Sequence, residues 1–351
     1  MVQTRHFFAG SNSGKGFYSL FDNIIGPEAK RIYLLKGGPG TGKSSFMRHI
    51  ANAVGNRGYD HELFFCSSDS KALDAVSFPK LRIALIDATA PHVMDAELPG
   101  CRDQLISLGD FWSAGALETK RDEIIEGGRI KQAHFAAAFR YFAAALAVEE
   151  NMAARNREKG SHGSSPEAVR EIQSIIDSTT PDHEGEQGKI RHLFASALTP
   201  EGYVSHIQSL VQGLCHVFVL QGGPGTGKGE SLSAIVSHAQ SAGHDLEAFH
   251  YPLDPHKLLH IIIPGAKIAV LSAISLDNLE ELVGRRIPLG SGESAANAGD
   301  HKLWGELLQK GFDALLKAQS SHIHIEEYYA QAMDFTAQTA YRDEILAEIL
   351  S

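Results

Sequence analysis

The heptapeptide Gly-Gly-Pro-Gly-Thr-Gly-Lys occurs twice in this chain of 351 residues, at Gly37–Lys43 and at Gly222–Lys228. Glycines at this density let backbone N–H groups close around an anion that side chains would keep away. The first copy continues with Ser44 and Ser45 and completes the pattern G-x-x-x-x-G-K-[ST]; the second has Gly229 where the hydroxyl belongs. In that pattern the lysine reaches the terminal phosphates of a nucleotide and the hydroxyl holds Mg²⁺. Gly38, Pro39, Gly40, Thr41, Gly42, Lys43, Ser44 and Ser45 are therefore expected to bind ATP with Mg²⁺. Gly223, Pro224, Gly225, Thr226, Gly227, Lys228 and Gly229 are expected to hold phosphates in a site that turns them over poorly.

The flanking sequence fits such a loop. Arg31-Ile32-Tyr33-Leu34-Leu35 reads as a buried strand and Ser44 to Val54 as a helix. His216-Val217-Phe218-Val219-Leu220 and Ser231 to Ala242 repeat that order around the second copy. Strand, glycine loop and helix are the context the motif requires, and the helix adds the positive end of its dipole to the anion site.

The self-similarity runs beyond the loops. Gly37 aligns with Gly222 (222 − 37 = 185), and Pro79 with Pro264 at the same spacing, each proline being followed by an apolar strand-like run. Upstream, His6-Phe7-Phe8-Ala9 resembles His192-Leu193-Phe194-Ala195 at a spacing of 192 − 6 = 186, and Gly16-Phe17 resembles Gly202-Tyr203. Arg121-Asp122-Glu123-Ile124 also resembles Arg342-Asp343-Glu344-Ile345. The expected fold is α/β: two tandem P-loop NTPase domains, each a three-layer α/β/α unit around a mainly parallel sheet, with a helical insertion. The expected divisions are 1–128 for the first domain, 129–189 for insertion and linker, and 190–351 for the second domain. Within the insertion, Ile130 to Glu158 carries Phe135, Phe139 and Phe142 at helical spacing, and Pro166 to Asp177 reads as a second helix. The glycine-rich stretches 159–166 and 290–300 read as breaks.

Comparing the copies singles out further residues. Asp87 ends the apolar run Ile83-Ala84-Leu85-Ile86, where a P-loop enzyme places its magnesium-side carboxylate; the matching position holds Ser272. Lys43, Asp87 and Asp69 are the candidate catalytic residues, and Ser44 with Asp87 the candidate metal ligands. Asp69 follows Leu63-Phe64-Phe65-Cys66 and matches Asp254; it either serves the reaction or shapes a Ser-Ser-Asp-Ser turn. Thr89 and His92 follow Asp87, in a loop expected near the terminal phosphate. Asn12, Lys15 and Gly16 lie in a glycine-rich loop that either covers the nucleotide or is an exposed turn before a helix from Phe17 to Ile25. Arg285 and Arg286 occupy an expected mobile loop.

A net charge of −10 argues against a broad nucleic-acid footprint. No segment has eighteen uninterrupted apolar residues, and no signal-peptide pattern opens the chain, so the expected place is the cytoplasm, away from membranes. The 18 histidines form no metal motif, and the 3 cysteines form no disulfide framework; Cys66 and Cys215 read as small core residues. A nucleotide is the expected ligand. A phosphoryl acceptor, a protein partner and a second copy of the chain stay open as partners.

Taken together, the two glycine loops, Asn12…Lys15-Gly16-Phe17, Cys66-Ser67-Ser68-Asp69 and Asp87-Ala88-Thr89-Ala90-Pro91-His92 resemble a family of bacterial tandem P-loop proteins described as ATPases or predicted nucleotide kinases. The resemblance covers nearly the whole chain and implies ATP binding and a cytoplasmic location. Gly229 and Ser272 depart from it and weaken the second site. The expected function is an Mg-dependent ATPase or ATP-driven switch. A nucleotide or small-molecule kinase and a non-hydrolysing nucleotide sensor are the alternatives. Ala88 follows Asp87, so the adjacent glutamate that activates water in many motor ATPases is absent.

Overall fold

Strict alternation fixes the central strands. In β4 (Arg31–Lys36) Ile32 and Leu34 face one core while Tyr33 and Leu35 face another, so this strand is covered on both sides. The computed structural model describes residues 2–158, 165–290 and 297–351. In chain order the first half contains β1 (Thr4–Phe8), β2 (Gly10–Ser13), β3 (Gly16–Ser19), β4, α1 (Lys43–Asn56), β5 (His61–Phe65), β6 (Leu73–Phe78), β7 (Ile83–Asp87), β8 (Asp103–Ser107), α2 (Ala114–Glu118), α3 (Arg121–Glu158) and α4 (Pro166–Asp177). The second half contains β9 (Ile190–Leu193), β10 (Ser196–Thr199), β11 (Gly202–Ser205), α5 (Ile207–Leu210), β12 (His216–Gln221), α6 (Lys228–Ser241), β13 (Leu246–His250), β14 (Leu258–Ile263), β15 (Ile268–Ser272), β16 (Arg285–Pro288), α7 (Ala298–Ala332) and α8 (Phe335–Leu350).

The two halves build six-stranded sheets of the same order, β1-β5-β6-β7-β4-β8 and β9-β13-β14-β15-β12-β16. In each sheet five strands run one way, and only β6 or its counterpart β14 is reversed. Backbone detail repeats too. Among the described residues Arg82 and Lys267, 185 positions apart (267 − 82 = 185), are the non-glycine residues with left-handed φ, at 57° and 54°. The halves meet about a pseudo-twofold axis, because residues equivalent at the 186 spacing pair with each other. Phe8 bridges Phe194 through N–H···O bonds of 2.9 and 3.1 Å, and Asn12 opposes Leu198 where β2 joins β10 in a shared four-stranded sheet.

The expected three-layer arrangement of each domain is not what packs. One face of the first sheet (Ile32, Leu34, Phe64, Ala84, Ile86) shares a single core with one face of the second (Val219, Phe249, Ala269, Leu271). The longer helices α1, α4, α6 and α8 cover the outer faces, giving four layers, α/β/β/α, while Ile207 and Leu210 of the short α5 join the shared core. The sequence could not show this, because a sheet face buried by another sheet reads like one buried by helices.

Those outer helices are exchanged between halves. Ile345 and Ile349 of α8 pack with Phe46, Met47, Ile50 and Val54 of α1. Ala168, Ile172 and Ile176 of α4 pack with Leu232, Ile235 and Ala239 of α6. The crossing is made by α3 and α7, which lie antiparallel. Phe142 covers Gly311, where an added Cβ would overlap the ring, Ile325 meets Gly127, and Arg155 reaches Asn297 and Asp300 at the far end. The sequence division at residue 128 falls inside α3, whose counterpart is α7.

Several local readings need correction. Phe17 to Ile25 is not a helix: β3 hairpins back on β2, and only Phe21–Asn23 forms a 3₁₀ turn. Arg121–Ile124 opens α3 whereas Arg342–Ile345 lies within α8, so that sequence match joins unlike elements. Of the two expected breaks, 159–164 and 291–296 lie outside the described residues, and α7 has already begun at Ala298. Among the described residues no helix is long and apolar enough to cross a membrane.

Two buried glutamates and two part-buried arginines tie the halves together. Arg191 grips Glu62 with Nη1–Oε1 2.9 Å and Nη2–Oε2 2.8 Å, and Arg5 grips Glu247 in the mirrored pairing. Both guanidinium groups lie over the ring of Phe7.

Candidate functional site

The first glycine loop leaves β4 at the carboxyl edge of its sheet and enters α1. Gly40 and Gly42 hold left-handed φ values of 73° and 82°, which let the chain turn its amides inward. The Lys43 ammonium folds over the loop, 2.8 Å from the carbonyl oxygens of both Gly37 and Gly38. Asp87 ends β7, which lies directly beside β4 as a parallel neighbour, and this places its Oδ2 3.6 Å from Lys43 Nζ. Asp87 Oδ1 accepts the Thr89 N–H at 3.0 Å, and the Thr89 hydroxyl donates to Gly37 O at 3.2 Å. The Ser44 hydroxyl accepts the Leu73 N–H at 2.9 Å. Asp69 shapes its turn, accepting the Lys71 N–H at 3.1 Å, and also lines the cleft above the loop.

That cleft, of about 1290 Å³, gathers Lys43, Ser44, Ser45, Asp69, Asp87, Thr89 and His92. Its far wall comes from α3 and α7, through Lys131, Phe135, Phe139, His322, Ile323 and Glu326. Sequence placed none of these wall residues at the site; Phe135 and Phe139 showed only helical spacing. The exchange of helices brings Glu326 from the second half against the first loop, where an added Cβ on Gly40 would overlap the Glu326 carbonyl oxygen. Burial, then repulsion from Asp69, pushes the Glu326 carboxyl up, against the opposing pull of Lys43 and Lys131. Burial, then Lys131 and Lys43, depresses His322 to about 4.

Asp74 is a second residue that sequence reading missed. It is the carboxylate inside the fully buried, mostly apolar β6, 4% exposed, and burial pushes it up to about 6. A charged residue in such a strand was the available signal.

The second loop has the same backbone. Gly225 and Gly227 repeat the left-handed φ at 76° and 94°, and Lys228 Nζ contacts the carbonyl oxygens of Gly222 and Gly223. The wall again comes from the other half: an added Cβ on Gly225 would overlap Ala153 O, and Asn156 Nδ2 donates to Pro224 O at 2.8 Å. Its chemistry differs. Ser272 and Gly229 supply neither the carboxylate nor the hydroxyl. Asp277, at the position matching His92, accepts the Tyr203 hydroxyl at 2.5 Å, and burial pushes it up to about 6. Glu149 accepts the Tyr251 hydroxyl at 2.7 Å, and burial pushes its carboxyl up. Asp254, the counterpart of Asp69, is held by Lys257 at 3.0 Å and Lys15 at 3.1 Å.

Three other expectations change here. Lys15 reaches across to Asp254 in the second half, whereas Asn12, buried in β2 and donating to Ser67 O and Leu198 O, does line the cleft. Arg285 and Arg286 lie in β16, an edge strand. Arg286 donates to the carbonyl oxygens of Leu279, Glu280 and Leu282, and Arg285 pairs with Glu171. Cys215 is exposed, while Cys66 is partly buried beside Asp74. Comparison with protein families, with curated proteins and with solved structures finds no match for this chain.

Proposed function

We propose that the protein is a P-loop nucleotide-binding protein that binds Mg-ATP at its first glycine loop and hydrolyses it there. The observation that carries this reading is the meeting of Lys43 and Asp87 at 3.6 Å beside a loop with left-handed Gly40 and Gly42. The cation reaches the β- and γ-phosphates, and the amide N–H groups of Gly38, Gly40, Thr41, Gly42 and Ser45 surround them, while Pro39, which has no N–H, shapes the loop. The donor set beside the loop, carboxylate oxygens with a hydroxyl, fits Mg²⁺, with Ser44 and Asp87 as its protein ligands. When bound, Mg²⁺ would neutralise charge developing on the phosphate oxygens. Asp69 stands across the cleft, where it orients an attacking water.

The second loop keeps Lys228 but has lost both metal-side groups, so it binds phosphates as a regulatory site. Because each loop rests on the long helix of the other half, hydrolysis at one loop shifts the α3–α7 pair and is felt at the other. This makes the protein an ATP-driven switch, working in the cytoplasm where ATP is abundant.

A second reading is favoured by the cleft itself. It extends from the loop to the wall of Phe135, Phe139 and Ile323, leaving room for a phosphoryl acceptor beyond the nucleotide. Equilibrium binding of ATP with and without Mg²⁺ tests the common core of both readings. Wild type is expected to bind two equivalents, and Lys43→Ala is expected to lose the Mg²⁺-dependent one. Mg²⁺-dependent binding that persists in Lys43→Ala would refute the assignment.

A further inference from the structure

Asp74, Asp87 and His92 bring two carboxylate oxygens and one imidazole nitrogen within 4.8 Å of one another. They come from β6, from the end of its antiparallel neighbour β7, and from the loop that follows. Asp74 and His92 are 4% and 8% exposed, so this is an interior cluster opening on the cleft rather than a solvated acidic patch.

The histidine supplies an independent observation. Its Nδ1 lies 2.8 Å from the Asp87 carbonyl oxygen, which can only accept, so Nδ1 is the donor in that bond. The ring is clamped by stacking on Phe21 at 4.3 Å and 12°. With Nδ1 committed, Nε2 is the nitrogen turned toward the carboxylates, 3.8 Å from Asp74 Oδ1 and too far for a hydrogen bond. An imidazole anchored through one nitrogen on a backbone carbonyl, with the other aimed at carboxylates, has the outer-shell support characteristic of a metal ligand.

The second half provides the contrast. The matching positions are Leu259, Ser272 and Asp277, which leave one ligand of three. Asp277 there accepts a tyrosine hydroxyl.

We propose that Asp74, Asp87 and His92 bind a divalent transition-metal ion of the Mn²⁺, Fe²⁺ or Co²⁺ class, with coordination positions left for water or a phosphate oxygen. The imidazole sets the class, because Mg²⁺ takes oxygen ligands and keeps its water, whereas imidazole suits the transition ions. The site shares Asp87 with the nucleotide reading but forms without nucleotide. Ser44 stands beside it, its hydroxyl engaged by the N–H of Leu73.

The test is titration of Co²⁺ into nucleotide-free protein, followed by its visible absorption, and of Mn²⁺, followed by electron paramagnetic resonance. One equivalent is expected to bind. Affinity should fall at least about tenfold in Asp74→Asn and in His92→Ala, as for lost ligands or their supports, and should not fall in Lys43→Ala, which removes a cation 3.6 Å from Asp87. The Lys43 variant separates this inference from the nucleotide reading, since it removes the phosphate contact and leaves all three ligands. Thermal melts and Asp74→Asn, which keeps the side-chain volume, guard against a folding artefact in His92→Ala. No binding by wild type, binding unchanged in both ligand variants, or displacement by equimolar Mg²⁺ would each overturn the proposal.

Discussion

Replacing Glu62 by glutamine is the sharpest probe of how the two halves hold together. Glu62 is 4% exposed and accepts both Arg191 N–H groups at 2.9 and 2.8 Å, with the Ser77 hydroxyl at 2.7 Å. Two arginines and two glutamates balance to zero charge in the cluster; Glu62→Gln leaves one positive charge in excess. The amide can accept from Arg191 at one atom only, and its NH₂ then faces a second donor. Arg191 would keep the carbonyl oxygens of Asn23 and Ile24, at 2.8 and 2.7 Å, but the carboxylate left to it is Glu247, at 3.8 Å. Breaking one side of a buried pair costs about 3–5 kcal/mol; the retained amide oxygen places Glu62→Gln near the lower end. Urea unfolding should show a lower midpoint with an unchanged slope, in one transition, because both sheets share a core. Glu247→Gln should cost a similar amount through Arg5, and the double variant should depart from additivity. A loss under about 1 kcal/mol, the range of exposed pairs, would refute the view that this cluster is a buried fastening.

Three further outcomes follow from the same geometry. Gly40→Ala places a Cβ on the Glu326 carbonyl oxygen in a left-handed residue, so beyond the roughly 1–2 kcal/mol backbone cost it should displace α7 and lower the melting temperature. Gly229→Ser meets nothing within 4 Å and should fold normally; in a Lys43→Ala background it should make nucleotide affinity at the second loop respond to Mg²⁺, as isothermal titration would show. His206, packed against Phe8 and Phe65, is depressed by burial and His6 to about 4. Below the unfolded value near 6.5 the unfolded chain takes the proton first, so this group costs stability as pH falls from about 6.5 to about 4, by up to about 1.4 kcal/mol per pH unit. Stability of wild type minus that of His206→Phe should therefore decline across that window, and a flat difference would contradict it.

Much of the fold is legible in local pattern. The strand before each loop, the helix after it and α4 at Pro166–Asp177 follow from apolar runs, glycines and an N-terminal proline. The 186 spacing of the N-terminal repeat also carries tertiary information, since Phe8 meets Phe194 and Asn12 meets Leu198 on the axis. What the pattern lacks is long-range placement. Nothing near Gly40 or Gly225 announces that Glu326 and Ala153, each from the opposite half, will lie against them. The exchange of α4 and α8 is invisible for the same reason: an amphipathic helix shows which face is buried, and not against which sheet. Lys15 sits in the turn between β2 and β3, one of the two readings its loop allowed, but its partner Asp254 lies too far along the chain for local pattern to show. The position of Asp87 was legible because it needs only the end of a strand beside the loop strand, which short sequence already fixes.

Whether phosphate chemistry belongs to the first loop is decided by Mg-ATP turnover of purified wild type, Lys43→Ala and Lys228→Ala, measured side by side with confirmed folding. Turnover is expected to be abolished by Lys43→Ala and to survive Lys228→Ala at an altered rate. Turnover that survives Lys43→Ala and is lost with Lys228→Ala would contradict that assignment.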